Sequence, residues 1–324
     1  MKAITFDQPG AYKVLKVSEV ELPLPNKDQI LIKVVCAGVN RPDIVQREGN
    51  YPPPKDHSTI LGLEVSGYVE KVGNNVQDFS VGDKVAALVN GGGYAEYCVA
   101  EYQSTFHIPG DLSFDEAACI PECFFTVWSN LVMRGKLKNK QKVLIHGGTS
   151  GIGLAAIQVA KIFDSLVITT VGNNEKVLFC ENLGVDKVIN YKEQDFFDEI
   201  KKSKIGDVDL ILDYIGGDYI SKNINLLNTD GSLINIGFMK GSKSELNLMK
   251  VMLKRLNITG STLRIRNDNF KGRILSELKK FVFPLLIKRE IKCYIDSSFD
   301  LKNASDAHKR LDEGKHIGKI VLKT

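Results

Sequence analysis

The sequence predicts an α/β protein: a small β-rich domain that opens and closes the chain, with a doubly wound parallel sheet inserted in its middle. Three observations predict it. Roughly the first 110 residues are short β-branched or apolar runs punctuated by Gly, Asn and Asp. Apolar strands then alternate with stretches of helical spacing, the pattern of a parallel sheet. The chain closes on one more apolar strand, "GKIVLKT".

The elements follow in order. "QILIKVVCAGVN" alternates and then runs apolar, and "LEVSGYVEKVG", "GDKVAALV" and "YAEYCVA" follow at the close spacing of a small barrel or sandwich. "SFDEAACIPECFFTVWSNLVMRG" reads as a helix, a break near Pro121 and a second helix, opened by the capping box Ser113 and Glu116. "KVLIHGG" is a buried strand, "GIGLAAIQVAKIF" a helix, "LVITTV" a strand, "NEKVLFCENLG" a helix ending at Gly184, and "KVINY" a strand. "VDLILDYIG" and "GSLINIGF" continue the series. Beyond Gly260, "NFKGRILSELKKFVFPLLIKREI" is a long amphipathic helix that Pro284 ends or kinks, before a last helix and strand. The expected division is residues 1–123 with 262–324 for the β-rich domain and 124–261 for the inserted one.

Composition narrows the function classes. Of 324 residues, 43% are hydrophobic and 25% charged, and 43 basic against 39 acidic residues leave a net charge of +4. That balance implies neither nucleic acid nor an anionic membrane as partner. No apolar run approaches the roughly 18 residues of a membrane span. The opening "MKAITFDQPGAYKVLKV" carries Asp7 and no apolar core of a signal peptide, so the expected setting is cytoplasmic and reducing. The six cysteines form no C-x-x-C pair, and they read as small buried hydrophobes rather than zinc ligands.

"HGGTSGIGLAAIQVAK" is the main functional motif. Strand before and helix after make its glycines a phosphate-binding turn, with Gly148, Thr149, Ser150, Gly151, Ile152 and Gly153 as candidate contacts. Glycine permits the tight turn and close backbone approach, and the helix start offers N–H groups to the phosphates. Counted from Gly147 the spacing is that of short-chain dehydrogenases. Those need a helical Tyr-x-x-x-Lys pair, and Tyr51 and Lys55 are interrupted by Pro52, Pro53 and Pro54, so that reading fails.

The end of the second strand of the series selects the cofactor. An acid there would bind the ribose 2′-hydroxyl of NAD. Here Gly172 and Asn173 occupy the place, Lys176 follows, and Tyr191 at the end of the next strand can add a hydrogen bond. Room plus a compact cation predicts NADPH.

The order of "AGVNRPDIVQREGNYPP", "ILGLEVSGYVEKVG", "GDKVAAL", "HGGTSGIGLAAIQVAK", "DYIGG" and "GSTLRIR" resembles the medium-chain dehydrogenase/reductase superfamily, in its zinc-independent quinone oxidoreductase branch. The last two stretches, with "GGGYAEY", resemble the subgroup typified by a p53-inducible quinone oxidoreductase. The resemblance implies a GroES-like catalytic domain built from both ends of the chain, an inserted Rossmann domain, an active site in the cleft between them, and a homodimer or tetramer, often through edge strands. Zinc-dependent relatives carry Cys and His where Asn40 and Leu63 stand here, and neither substitute suits zinc. The cysteine-rich lobe is also missing, so no metal is expected.

A hydride acceptor without a metal still needs its developing oxygen charge stabilised. Asn40 and Tyr51 are the candidate catalytic donors, and Asp43 is expected to orient the Asn40 loop. Related 2-enoyl thioester reductases use a tyrosine at the place matching Tyr51. The resemblance puts Phe238 beside the nicotinamide and lets Leu263 and Arg264 line the cofactor or cleft. His146 reads as structural. The expected activity is NADPH-dependent reduction of quinones. The alternatives are reduction of the C=C bond of enones or 2-enoyl thioesters and, in another class, a non-catalytic NADPH-binding protein of crystallin or RNA-binding type.

Overall fold

The computed structural model describes residues 1–324. It divides into two units, Met1–Phe125 with Arg264–Thr324, and Thr126–Leu263.

The first unit begins with an antiparallel pair, β1 (Lys2–Thr5) and β2 (Lys16–Glu19). Then come β3 (Gln29–Val39), α1 (Arg41–Arg47), β4 (Glu64–Val72), β5 (Lys84–Leu88), β6 (Tyr97–Glu101), β7 (Thr105–His107), α2 (Phe114–Ala117) and α3 (Pro121–Val127). The central strand, β3, explains why its sequence alternates and then turns continuously apolar. Ile30, Ile32 and Val34 face the main core, and so do Ala37 and Val39 further on. The register against β4 shifts between Val34 and Cys36, which moves the core face from even to odd positions. Cys36 is thereby turned into a second cluster with Ala118, Cys119 and Val321.

The second unit contains β8 (Lys142–His146), α4 (Gly151–Ile162), β9 (Leu166–Val171), α5 (Asn174–Asn182), β10 (Lys187–Asn190), α6 (Phe196–Lys202), β11 (Val208–Asp213), α7 (Tyr219–Leu226), β12 (Leu227–Asn235), α8 (Leu248–Leu253) and β13 (Asn257–Gly260). Its six strands run parallel in the order β10-β9-β8-β11-β12-β13. This is the dinucleotide-fold order, and the crevice where direction reverses lies between β8 and β11. Leu144, Ile168, Ile189, Ile211 and Leu233, one from each of five strands, meet in one core.

The chain then supplies α9 (Asp268–Phe281), α10 (Phe283–Ile287), β14 (Ile295–Asp300), α11 (Ala304–Asp312) and β15 (Lys319–Lys323) to the first unit. β15 pairs with β3, completing a seven-stranded sheet ordered β14-β15-β3-β4-β5-β7 with β6 on β3. The expected long helix is two helices, because Pro284 sits in the first turn of α10 and cannot accept its place in a continuous helix.

Two sequence expectations need correction. The second helix of the 113–135 stretch does not stay α-helical: Trp128–Arg134 is a π-helix, closed by Gly135 N–H donating to Asn130 O at 2.7 Å. Asn130 is also held by Ser261 Oγ, 2.8 Å from its Oδ1, a partner too distant in sequence to be anticipated. Second, α6, α7, α8, β13 and β14 escape the periodicity reading, each being eight residues or fewer. No helix is long and apolar enough to cross a membrane.

Candidate functional site

In the Thr126–Leu263 unit the glycine turn leaves the end of β8 at the crevice. Gly147 has φ +69°, and a Cβ there would run into the Tyr214 hydroxyl. A Cβ on Gly153 would run into the backbone of Gly147 and Gly148, so the start of α4 lies directly on the turn. Ser150 caps the helix: its Oγ accepts from Gly153 N–H at 2.9 Å and donates to Gly147 O at 2.9 Å. The Tyr214 hydroxyl lies 3.1 Å from both Gly147 O and Ser150 Oγ and ties down the turn. Thr149 is buried, as is Gly153.

The N–H groups of Gly151 and Ile152 lie in the first turn of a twelve-residue helix and have no carbonyl four residues back within it. A turn stripped of side chains, pinned from behind and facing such donors fits a pyrophosphate. These are the residues that would hold a dinucleotide's phosphates. His146 belongs to the framework. It is fully buried between the rings of Phe196 and Tyr219, and its nitrogens bond Thr170 Oγ1 and Asn223 Oδ1. Burial lowers its pKa.

At the end of β9, Gly172 faces the Tyr191 hydroxyl, and a Cβ there would stand 2.8 Å from that oxygen. Asn173 caps α5, its Oδ1 accepting from Lys176 N–H at 2.9 Å. Lys176 is only 8% exposed, so it is not an ordinary solvated helix lysine. Glu175 lies in the first turn of α5, past the strand end, and no carboxylate occupies the strand end itself. Phe238 is 49% exposed on the loop after β12, against Gly216, and Leu263 is buried.

The other unit builds a buried polar constellation from four elements. Asn40 caps α1, and Asp43 Oδ2 accepts its N–H at 2.8 Å. Asp43 Oδ1 accepts from Gly62 N–H at 3.0 Å, so Asp43 orients the loop rather than facing outward. Burial pushes its pKa up to about 6 against those two bonds. The Asn40 amide reaches Glu64 Oε1 at 2.9 Å and Gly38 O at 3.4 Å, while its Oδ1 accepts from Lys319 Nζ at 2.5 Å. Asn40 was expected to present a free donor. Its amide instead spends both hydrogens inside the protein, because the Glu64 carboxylate and Lys319 ammonium bracket it. Leu63 is buried in the core.

Tyr51 is half-buried on the loop after α1. The Arg264 guanidinium carbon lies 5.3 Å from its ring centroid, and Arg264 itself is fixed by Asn90 O through Nε at 2.9 Å and Nη2 at 2.6 Å. Burial and the Glu122 charge raise the Tyr51 pKa, against Arg264. Lys271, from α9, donates to Asn90 Oδ1 at 2.8 Å and closes this knot. The residues sequence reading missed are Glu64, Glu122, Lys319, Asp213 and Tyr214. Glu64 lies inside "ILGLEVSGYVEKVG" and Asp213 and Tyr214 inside "DYIGG", whereas Glu122 and Lys319 stand in no quoted motif. No group of three or more His, Cys, Asp or Glu side chains is arranged to hold a metal.

Comparison with known proteins places these features. Residues 26–110 match the model of the alcohol dehydrogenase GroES-like domain, and residues 151–280 match that of the zinc-binding dehydrogenase. A quinone oxidoreductase from Lama guanicoe is 34% identical over 330 residues, covering 99% of this chain and 97% of that one. The human quinone oxidoreductase is 31% identical with the same coverage. Among solved structures, the Escherichia coli quinone oxidoreductase complexed with NADPH superposes with a TM-score of 0.88 at 28% identity, covering both chains fully. The CurK enoyl reductase gives 0.88 at 25% identity, covering 99% of this chain and 98% of that one.

Proposed function

The chain belongs to the medium-chain dehydrogenase/reductase superfamily, in its zinc-independent quinone oxidoreductase branch, and we propose that it reduces quinones with NADPH. The observation that carries the reading is the end of β9. Gly172 brings no side chain to the strand end, no carboxylate waits there for a ribose 2′-hydroxyl, and the buried Lys176 would supply a cation for a 2′-phosphate. Bound there, NADPH would supply a hydride, the glycine turn and the start of α4 would hold its phosphates, and Phe238 would lie toward the nicotinamide.

The acceptor must be electrophilic on its own. Asn40 and Leu63 take the places of zinc ligands, and the Glu64–Lys319 pair fills the space beside Asn40. A quinone meets that demand. The Tyr51 hydroxyl donates to its oxygen, and Arg264 holds the ring in place from behind. An activated alkene is the second reading, favoured by the likeness to the CurK enoyl reductase. The test is oxidation of NADPH, and separately of NADH, against a panel of quinones and enones. Quinone turnover that falls by about 10- to 100-fold on Tyr51→Phe, the loss of one hydrogen bond to a charged group, supports the assignment. Turnover with enones alone replaces quinones by the second reading, and an unchanged Tyr51→Phe variant leaves that tyrosine a structural role.

A second copy of the chain completes the assembly. β13 is an edge strand, and Leu246, Leu248, Met249, Met252, Leu253 and Ile258 beside and on it are 37% to 68% exposed. An unpaired edge flanked by so much apolar surface suits pairing into a homodimer.

A further inference from the structure

Two hydroxyls compete for one carbonyl lone pair at the glycine turn. A carbonyl oxygen accepts through two lone pairs. On Gly147 O, one is taken by Ser150 N–H, which donates at 3.0 Å and closes the turn. The other is within reach of Ser150 Oγ at 2.9 Å and of the Tyr214 hydroxyl at 3.1 Å. The two hydroxyl oxygens are 3.1 Å from each other. Each carries a single hydrogen.

Two arrangements satisfy these atoms. In the first, Ser150 donates to Gly147 O and Tyr214 donates to Ser150 Oγ. In the second, Tyr214 donates to Gly147 O, and the Ser150 hydrogen is released to point elsewhere. Ser150 Oγ accepts from Gly153 N–H at 2.9 Å in both, so the cap on α4 survives the change. The rest of the turn is held still. Gly147 N–H donates to Thr170 Oγ1 at 3.3 Å, and Gly148 N–H to Thr170 O at 3.1 Å. Tyr214 directly follows β11, the turn directly follows β8, and the two strands pair, so the hydroxyl spans the crevice between them. Met239 N–H fixes Tyr214 from behind, donating to its carbonyl at 3.0 Å. Ser150 is only half-buried, at the open end of a twelve-residue helix.

We propose that Tyr214 is a positioning residue for dinucleotide binding: by taking over Gly147 O, it releases the Ser150 hydrogen to a pyrophosphate oxygen at the start of α4. The proposal rests on the reading of the glycine turn as a pyrophosphate site. An ionised acceptor gains more from that hydrogen than a neutral carbonyl does, because charge-assisted hydrogen bonds are the stronger ones. Without Tyr214, the same rotation strips a bond from Gly147 O and offsets the gain. Only two hydroxyl rotors turn, and no proton changes its oxygen.

The experiment is a double-variant cycle on binding, with dissociation constants for NADPH and NADH read by fluorescence titration. Tyr214→Phe keeps the ring and removes the hydroxyl. Ser150→Gly removes the other hydroxyl, and glycine caps a helix nearly as well as serine. Tyr214→Phe should weaken binding by about 10-fold, and by the same factor for both cofactors, since both carry the pyrophosphate. Added to Ser150→Gly, it should change the constant by less than about two-fold, because the hydrogen it releases is already gone. An unchanged constant in Tyr214→Phe overturns the proposal. So does a full loss that recurs in the Ser150→Gly background, which would make Tyr214 a packing group of the turn. A wild type that binds neither dinucleotide overturns the phosphate reading and the proposal together. Tight binding by the wild type with an additive cycle overturns the proposal alone.

Discussion

Lys319 Nζ lies 2.6 Å from Glu64 Oε1, with side chains 6% and 0% exposed. Burial works to lower the lysine's pKa, but the Glu64 carboxylate more than offsets it and holds the ammonium charged. The pair ties β15, the last strand, to β4, and Asn40 bridges it. Breaking such a pair leaves one charge buried without compensation, at a cost of about 3–5 kcal/mol. Lys319→Met should destabilise the protein by that amount in urea unfolding. The double variant Lys319→Met with Glu64→Gln should recover much of the loss. A single variant within about 0.5 kcal/mol of wild type, the scatter of surface changes, would contradict the assignment.

The relay behind Asn40 predicts a pH dependence of stability. Arg47 Nη1 lies 3.2 Å from His308 Nδ1, and arginine can only donate, so Nδ1 accepts. Nε2–H then donates to Tyr94 Oη at 3.1 Å, and the Tyr94 hydroxyl donates to Asp43 Oδ2 at 3.1 Å. Burial, then Arg47 and Arg41, push His308 down to about 3. A depressed histidine binds its proton more readily in the unfolded chain. Its contribution is present above the ordinary 6.5 and is lost as pH falls toward 3. Asp43 is raised from 3.8 to about 6, so its contribution runs the other way and is lost as pH rises through that range. Urea titrations from pH 7 down to pH 4 (the span below the ordinary histidine value) should show His308→Asn removing a slope of up to about 1.4 kcal/mol per pH unit. A slope unchanged by the substitution would refute the neutral histidine.

Lys176 should separate the two nicotinamide cofactors. Loss of one charge-assisted contact to the 2′-phosphate weakens binding by about 10- to 100-fold. Lys176→Ala should therefore raise the dissociation constant for NADPH by that factor in fluorescence titration and leave NADH unaffected. Gly172→Asp should shift preference toward NADH, since it places a carboxylate at the strand end. Equal loss for both cofactors would assign Lys176 to packing, where its burial and the neighbouring Cys180 would locate it.

The edge of the parallel sheet should carry the subunit contact. Met252→Glu combined with Ile258→Lys puts charge onto the exposed apolar face of α8 and β13. Light scattering should report a dimer for the wild type and a monomer for this variant, with the fold intact by circular dichroism. A dimer that survives this change assigns the contact to another surface.

Much of this was legible in the chain itself. The glycine turn, the cap at Ser113 and the break at Pro284 are local events, fixed by residues within a few positions of each other. The missing acid at Gly172 is equally local, because the strand before it is a clear apolar run. The short elements α6 to α8 were not legible, since six to eight residues cannot display a helical period. Asn40 was found by its motif, but not its partners: Lys319 is 279 residues away, and nothing near either residue signals the pairing.

The sequence by itself determined the alternation of its longer strands and helices, the glycine turn between β8 and α4, and the residue types Asn and Leu at positions 40 and 63. These depend on residue type and close spacing, which the chain displays openly. Only the tertiary structure decided the fate of the charged groups. It gave Glu64 a lysine, gave Asp43 two backbone donors and a tyrosine, and left Glu122 with neither. The physical reason is that a carboxyl's proton affinity is set by burial and by the charges around it, and those neighbours come from β4, α1, α9 and β15, far apart along the chain.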